Sequence, residues 1–216
     1  MSTEIIPPAF EYIDLDRING KHVEEAVIQG YDLWHVPYGT PLSVDVARAL
    51  RVMHIRDFTL RALMPDSSHK FTSLEESTRF TNDKIYNRDA YVLTAQKDEV
   101  VDSNLAAFGW FRPLIDPRNS DNYEDYDLAS SLCARDENPG SYATAAIEVF
   151  AGYRQKLAAV DLIEASLADY SVRHPEVRGI CVRVGTFRAI NMVEHTQFER
   201  LSSEEGGGGI FVRRLR

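Results

Sequence analysis

The stretch Tyr142–Val172, YATAAIEVFAGYRQKLAAVDLIEASLADYSV, carries most of the information about the fold. Its first nine residues, Tyr142–Phe150, predict a β-strand. From Tyr153 to Val172 apolar residues return every three to four positions, and this spacing predicts an amphipathic helix. Gly152 stands just before the helix, where a residue without a side chain lets backbone or ligand approach closely. The stretch therefore predicts a strand, a turn and a long helix.

The charges at the start of this helix are unusual. A helix N-terminus carries positive partial charge and free N–H donors, so acidic residues are preferred there. Here Arg154 and Lys156 occupy the first turn, and no acidic residue follows until Asp161. Each exposed cation costs about 0.3–1 kcal/mol against the dipole, and a bound anion removes that cost. The pattern predicts an anion site, unless both side chains simply extend into water.

Other segments extend this pattern in both directions along the chain. Apolar spacing predicts helices over residues 22–34, 42–53 and 188–195, and the capping box that begins at Ser73 opens another helix to about residue 86. Short apolar runs predict strands over residues 90–95, 105–111, 179–184, 198–201 and 210–215. This order of elements favours a mixed α/β sheet covered by helices.

The strand, the turn with Tyr-Arg-x-Lys, the long helix, the next strand and the short helix before Phe198 resemble the acetyl-CoA-binding half of the GNAT superfamily of N-acetyltransferases. The motif-level match covers about residues 142–201. It implies an α/β (α+β) fold with a mixed, mostly antiparallel central sheet flanked by helices, here with an enlarged helical N-terminal region. We expect one domain over residues 1–216, with a helical part over 1–88 and the sheet and CoA-binding part over 89–216.

The resemblance also implies a binding site for acetyl-CoA as co-substrate. In that family the turn reads R/Q-x-x-G-x-G/A, and its backbone amides hold the pyrophosphate of coenzyme A. The strand before the turn splays from its neighbour and pairs with the pantetheine arm. Carried over position by position, and with no metal ion expected, the cofactor-binding residues are Val149, Phe150, Arg154, Gln155, Lys156, Leu157, Ala158 and Ala159.

Four positions depart from the family pattern. Leu157 stands where the turn has glycine, and Thr186 where asparagine usually follows the next strand. In the closing helix, Val193 replaces a tyrosine that often protonates the departing thiolate, and Gln197 replaces glycine. These substitutions leave two functions open: an N-acetyltransferase, or a GNAT-like interaction module that no longer catalyses. A third possible function is that of an acyl-CoA-dependent enzyme that acts on a hydroxyl group or uses a longer acyl chain.

Direct transfer of acetyl to an amine needs a base, a group that polarises the thioester carbonyl and an acid. Glu148 is the carboxylate of the predicted strand 142–150, where the family often places a base that acts through water; the alternative is a surface carboxylate. His195 and Tyr153 lie near the elements from which an acid could act, although either can be structural. Cys181, in the middle of a strand, is typical of a small buried hydrophobe.

Charge is unevenly distributed. The chain has a formal net charge of −9, which weighs against non-specific nucleic-acid binding, and residues 116–140 alone hold two basic and seven acidic residues. In GNAT-like proteins this connection borders the acceptor site, so its acidity would favour a cationic small-molecule or peptide amine. The alternative is a solvated loop.

The sequence also suggests where the protein works. Cys133 and Cys181 are too few for a disulfide framework, so we expect a reducing compartment. The N-terminal sequence lacks the features of a signal peptide, and no segment approaches the ~18 apolar residues that span a bilayer. We therefore expect a cytoplasmic protein that does not enter membranes. The N-terminal helices offer surface for a homodimer.

Overall fold

The computed structural model describes residues 13–56, 88–100, 103–114, 123–150, 152–153, 158–203 and 208–215. Its strands are β1 (Lys21–His22), β2 (Tyr31–Val36), β3 (Asp89–Ala95), β4 (Leu105–Pro113), β5 (Tyr142–Val149), β6 (Gly179–Val184), β7 (Glu199–Ser203) and β8 (Gly209–Arg214). Its helices are α1 (Val44–Arg56), α2 (Tyr123–Cys133), α3 (Ala158–Arg173) and α4 (Phe187–His195).

The eight strands form one sheet in the order β1-β2-β3-β4-β5-β6-β8-β7. The pairs β1–β2, β2–β3, β6–β8 and β7–β8 are antiparallel, whereas β5 and β6 are parallel. Parallel neighbours need a crossover connection, and α3 supplies it between β5 and β6. The predicted mixed, mostly antiparallel sheet flanked by helices is confirmed.

The sequence pattern was most accurate in the second half of the chain. Strands β3, β4, β5 and β6 lie within two residues of their predicted bounds, and α4 begins one residue before its prediction. The helix predicted over residues 42–53 is α1. The helix predicted after Ser73 lies outside the described residues. A single domain over residues 1–216, with a helical part to residue 88 and a sheet part after it, stays a prediction.

The helix predicted over residues 22–34 is wrong. Residues 21–22 are β1, Gly30 adopts a left-handed φ of 81°, and residues 31–36 are β2. Val27, which the helical pattern placed on the apolar face, is 93% exposed. Six residue pairs join β2 to β3, from Tyr31 with Ala95 to Val36 with Ala90, so partners far along the chain override the local helical spacing.

The chain divides into two compact units: residues 1–108 with 148–158, and residues 109–147 with 159–216. In the first unit, the fully buried Tyr153 donates its hydroxyl to the carbonyl of Ser103 at 2.5 Å and meets Tyr31 edge to face. The amide of Asn104 bonds both backbone groups of Ile13, at 2.7 and 2.8 Å. The bonds of Asn104 tie residue 13 to the segment that leads into β4.

In the second unit, α2 covers one face of the sheet and α3 the other. Buried residues join α2 to the sheet, namely Leu114, Leu128, Ala129, Leu132, Tyr142, Cys181, Ile210 and Val212. On the opposite face Phe111 of β4 stacks on Tyr170 of α3, with ring centroids 4.7 Å apart. Across the described residues no helix has the length and apolar character needed to cross a membrane.

Candidate cofactor slot and active site

The pairing of β5 with β6 stops early. Three residue pairs join the two parallel strands, and the last is Thr144 with Cys181. Both strands are described to their ends and continue beyond this point, β5 to Val149 and β6 to Val184, without pairing with each other. We call the gap between residues 145–147 of β5 and residues 182–184 of β6 the slot. The divergence of these strands, expected from the family resemblance, is confirmed.

The backbone of β5 directs polar groups into the slot. The carbonyl of Tyr142 accepts a hydrogen bond from the N–H of Leu114, directly after β4, at 2.8 Å, and Phe150 donates its N–H to the carbonyl of Ala106 in β4, at 3.0 Å. Backbone N–H and C=O groups alternate between the two edges of a strand. Those of even-numbered residues in β5 therefore point toward β4, and those of odd-numbered residues point toward β6. Beyond the last pair, the C=O group of Ala145 and the N–H and C=O groups of Ile147 point into the slot.

Burial agrees with an opening at this place. All seven residues of β3 are buried, as expected of an interior strand. β5 is also an interior strand of the sheet, yet residues 145–148 are only half-buried on both faces. A strand with neighbours on both sides keeps such exposure when one neighbour moves away from it.

The α3 face holds β5 in place through close packing on β4. A Cβ atom on Gly109 would lie 3.1 Å from Cγ1 of Ile147 and 3.7 Å from Cδ2 of Leu162 in α3. Glycine at this position lets β5 and α3 approach β4 closely. The second half of β5 therefore stays with β4, and β6 is the strand that parts from it.

The α2 face carries two ion pairs that the sequence did not predict. Arg112 of β4 makes two hydrogen bonds to Asp125, at 2.5 and 2.6 Å, and Asp125 is fully buried. Arg183 of β6 binds Asp127 at 2.5 Å. In the sequence, the signal was an arginine in each of two strands otherwise rich in apolar residues.

These pairs revise the interpretation of the acidic segment. Residues 123–133 form α2 rather than a solvated loop, because Leu128, Ala129 and Leu132 pack on the sheet. Within the described part of the segment, Asp125 and Asp127 are compensated by arginines. At least two of the seven acidic side chains of this segment are therefore neutralised within the protein. A role in attracting a cationic acceptor stays a prediction.

The predicted cofactor-binding residues fall into three groups. Val149, buried, ends β5, and the half-buried Phe150 follows it. Arg154, Gln155, Lys156 and Leu157 lie outside the described residues. Ala158 and Ala159 are the first two residues of α3. The candidate base Glu148 lies half-buried, one residue before the end of β5.

Each candidate acid lies within hydrogen-bond distance of a backbone carbonyl. Tyr153 is buried and donates its hydroxyl to Ser103, within the first unit. His195 is the last residue of α4, which begins just after β6, and its Nδ1 lies 2.6 Å from the carbonyl of Asn191. Val193, at the position of the family's tyrosine, is buried. Val193, an apolar residue of the core, is structural, and an acid role for Tyr153 or His195 stays a prediction.

Cys181 is also structural. It is fully buried beneath α2, and burial together with the charge of Glu137 raises the pKa of its thiol to about 12. A thiol with this pKa is not a nucleophile at neutral pH. Over the described parts of the chain, no three His, Cys, Asp or Glu side chains lie close enough together to hold a metal ion.

Of the comparisons with known proteins, the one with solved structures finds matches. No protein-family model matches the chain, and no curated protein sequence does. Among solved structures, an N-acetyltransferase from Staphylococcus aureus Mu50 has a TM-score of 0.53 at 11% identity, over 86% of this chain and 99% of its own. The chain has the GNAT fold.

Two further GNAT structures agree. The aminoglycoside acetyltransferase AAC(6')-Ib, solved with paromomycin and acetyl-CoA, has a TM-score of 0.57 at 12% identity, over 86% of this chain and 94% of its own. RimL, a ribosomal L7/L12 alpha-N-protein acetyltransferase, has a TM-score of 0.56 at 12% identity, over 90% and 94%. Identities this low show the GNAT fold and do not transfer a substrate.

Proposed function

We propose that this protein is an N-acetyltransferase, which binds acetyl-CoA in the slot and transfers its acetyl group to an amine. The observation that carries the proposal is the early end of β5–β6 pairing, which leaves backbone N–H and C=O groups of an interior strand directed into a gap. Such groups need hydrogen-bond partners. An extended molecule with amide groups, such as the pantetheine arm, satisfies them as an added strand would. Acetyl-CoA supplies an activated acetyl group.

The chain's own residues then have definite roles. The carbonyl of Ala145 accepts a hydrogen bond from a pantetheine amide. The N–H of Ile147, on the same edge, is a candidate to polarise the thioester carbonyl, where negative charge develops during attack. Arg154 and Lys156 neutralise the phosphates, as their position before α3 suggests. Glu148 accepts the proton of the attacking amine through a water molecule.

The acceptor is an amine of small-molecule or peptide type. The structural neighbours include enzymes for aminoglycosides, for spermidine and for the N-terminus of ribosomal protein L7/L12. These acceptors share a primary amine and differ in size. We therefore propose the common chemistry, transfer to an amine, without choosing among the neighbours' substrates.

Calorimetry with CoA and acetyl-CoA tests the cofactor. We expect micromolar binding, weakened at least tenfold in Arg154→Glu. Lys97→Glu is the matched control: it makes the same change in net charge at an exposed residue of a short turn after β3, and it should leave the affinity unchanged. The absence of both binding heat and a thermal shift at millimolar ligand would refute the proposal.

A binding module that has lost catalysis is the second candidate. The observation that favours it is Val193, an apolar, buried residue where the family often has the acid that protonates the thiolate. Release of CoA thiol from acetyl-CoA, measured with a panel of amines, separates the two functions. For the enzyme, Glu148→Gln should lower kcat at least tenfold and leave the affinity for CoA unchanged. Tight CoA binding without thiol release from any amine favours the module.

A further inference from the structure

Two ion pairs fasten α2 to the strands on either side of β5. Asp125 binds Arg112 in β4, and Asp127, two residues further along the helix, binds Arg183 in β6. β4 and β6 are the two neighbours of β5 in the sheet. One helix is therefore attached to both sides of the strand that forms one edge of the slot.

The attachments lie where β5 and β6 part. Leu114 bonds to Tyr142, so antiparallel pairing places Arg112 beside Thr144, two residues along each strand. Thr144 and Cys181 form the last β5–β6 pair, and Arg183 lies two residues beyond Cys181 on β6. The Asp127–Arg183 pair thus acts on the first part of β6 that no longer pairs with β5.

An open slot has a competing closed arrangement. Residues 145–147 of β5 and 182–184 of β6 are adjacent, extended and unpaired with each other, and further parallel pairing would satisfy their facing backbone groups. On its other edge β6 pairs with β8 through Arg183 and Ile210. The ion pair to α2 adds a second restraint on β6 at the same residue.

We propose that Asp127 and Arg183 are positioning residues, which form a brace between α2 and β6 that keeps the slot open before a ligand binds. Neither side chain touches the reacting atoms. Both are partly exposed, with 30% of the Asp127 and 35% of the Arg183 side chain accessible. Removing the pair therefore strands no buried charge, and the variants should fold.

Hydrogen exchange of the ligand-free protein tests the brace directly. In Asp127→Asn and in Arg183→Gln, we expect the amide of Ile147 to exchange at least fivefold more slowly, because the slot closes and this amide becomes paired. A merely structural ion pair predicts the opposite sign, faster exchange through local destabilisation. The matched control is Glu199→Gln, which breaks an exposed pair with Arg214 of similar length, 2.6 Å, and should leave the exchange of the Ile147 amide unchanged.

Reversal of the pair is the second variant. Asp127→Arg combined with Arg183→Asp restores attraction with exchanged charges, so the Ile147 amide should return to the exchange rate of the unmodified protein. Unchanged or faster exchange in both single variants overturns the proposal. So does a reversed pair that behaves like the single variants.

A further measurement, of CoA affinity, rests on the proposed function. If the slot holds the pantetheine arm, Asp127→Asn should weaken CoA binding about three- to tenfold, and the reversed pair should restore it. Absence of CoA binding by the unmodified protein refutes the proposed function and leaves the exchange test of the brace intact. Slower amide exchange with unchanged CoA affinity shows that the brace acts and that CoA does not use the slot.

Discussion

Gln197 has a φ of 60°, in the left-handed region, directly after α4. The N–H of Phe198 reaches back to the carbonyl of Val193 at 3.0 Å, which completes a Schellman motif at the helix end. Glycine is the usual residue at this position, and the family pattern has glycine here. Gln197 departs from that pattern, and the left-handed φ at this position is a physical reason for the glycine of the family.

Gln197→Gly should therefore stabilise the protein. Relief of the left-handed conformation contributes about 1–2 kcal/mol, and the added freedom of glycine in the unfolded chain offsets about half of it. Urea denaturation should show a net gain of about 0.5–1 kcal/mol. Gln197→Ala is the control, because alanine keeps the conformational cost; an equal gain in both variants would contradict the explanation.

Gly179 is the first residue of β6 and Gly185 follows its last, and the two make a second matched pair. A Cβ atom at Gly179 would lie 2.7 Å from the backbone oxygen of Arg213 and 2.7 Å from Cε1 of Tyr142, whereas one at Gly185 would meet nothing within 4 Å. Gly179→Ala should lower the free energy of unfolding by about 1–3 kcal/mol through overpacking, with Gly185→Ala near neutral. Thermal denaturation of both variants checks this, and equal losses would contradict it.

At the scale of elements, α2 shows how two similar ion pairs differ in energy. Asp125 is fully buried, so Arg112→Met leaves an unpaired buried carboxylate and should cost about 3–5 kcal/mol. The Asp127–Arg183 pair is partly exposed, and Arg183→Met should cost at most about 1 kcal/mol.

Urea midpoints of the two variants measure this difference. Asp125→Asn combined with Arg112→Met removes the stranded charge, and it should recover part of the loss seen in Arg112→Met alone. Equal losses for Arg112→Met and Arg183→Met would show that burial does not set the strength of these attachments.

Element prediction succeeded where local pattern and burial agree. The unit β5–α3–β6–α4 follows from apolar runs and spacing that the tertiary structure then buries, as in β6, where Ile180 and Val182 are both buried. It failed for β2, where Tyr31 fits a helical spacing and also the alternation of a strand. Pairing with β3, whose residues lie about 60 positions later in the chain, decides between the two.

At the scale of the whole molecule, the proposed function has a consequence for stability. A ligand that binds the folded state alone stabilises it, by about 2.7 kcal/mol at a hundredfold excess over its Kd. CoA at that excess should raise the melting temperature of the unmodified protein. At the same CoA concentration the shift should shrink in Arg154→Glu and persist in Lys97→Glu. An equal shift in both variants would show that Arg154 does not bind the cofactor.

The sequence by itself determined the succession of β5 and α3, the class of the sheet and the resemblance to GNAT proteins, because local apolar spacing acts over a few residues. Only the tertiary structure decided that residues 31–36 form a strand, that Asp125 and Asp127 join arginines of the sheet, and that β5 and β6 part after three pairs. These features depend on strand partners and charges distant in sequence. The energies of these strand pairings and ion pairs arise only when folding brings the distant residues together.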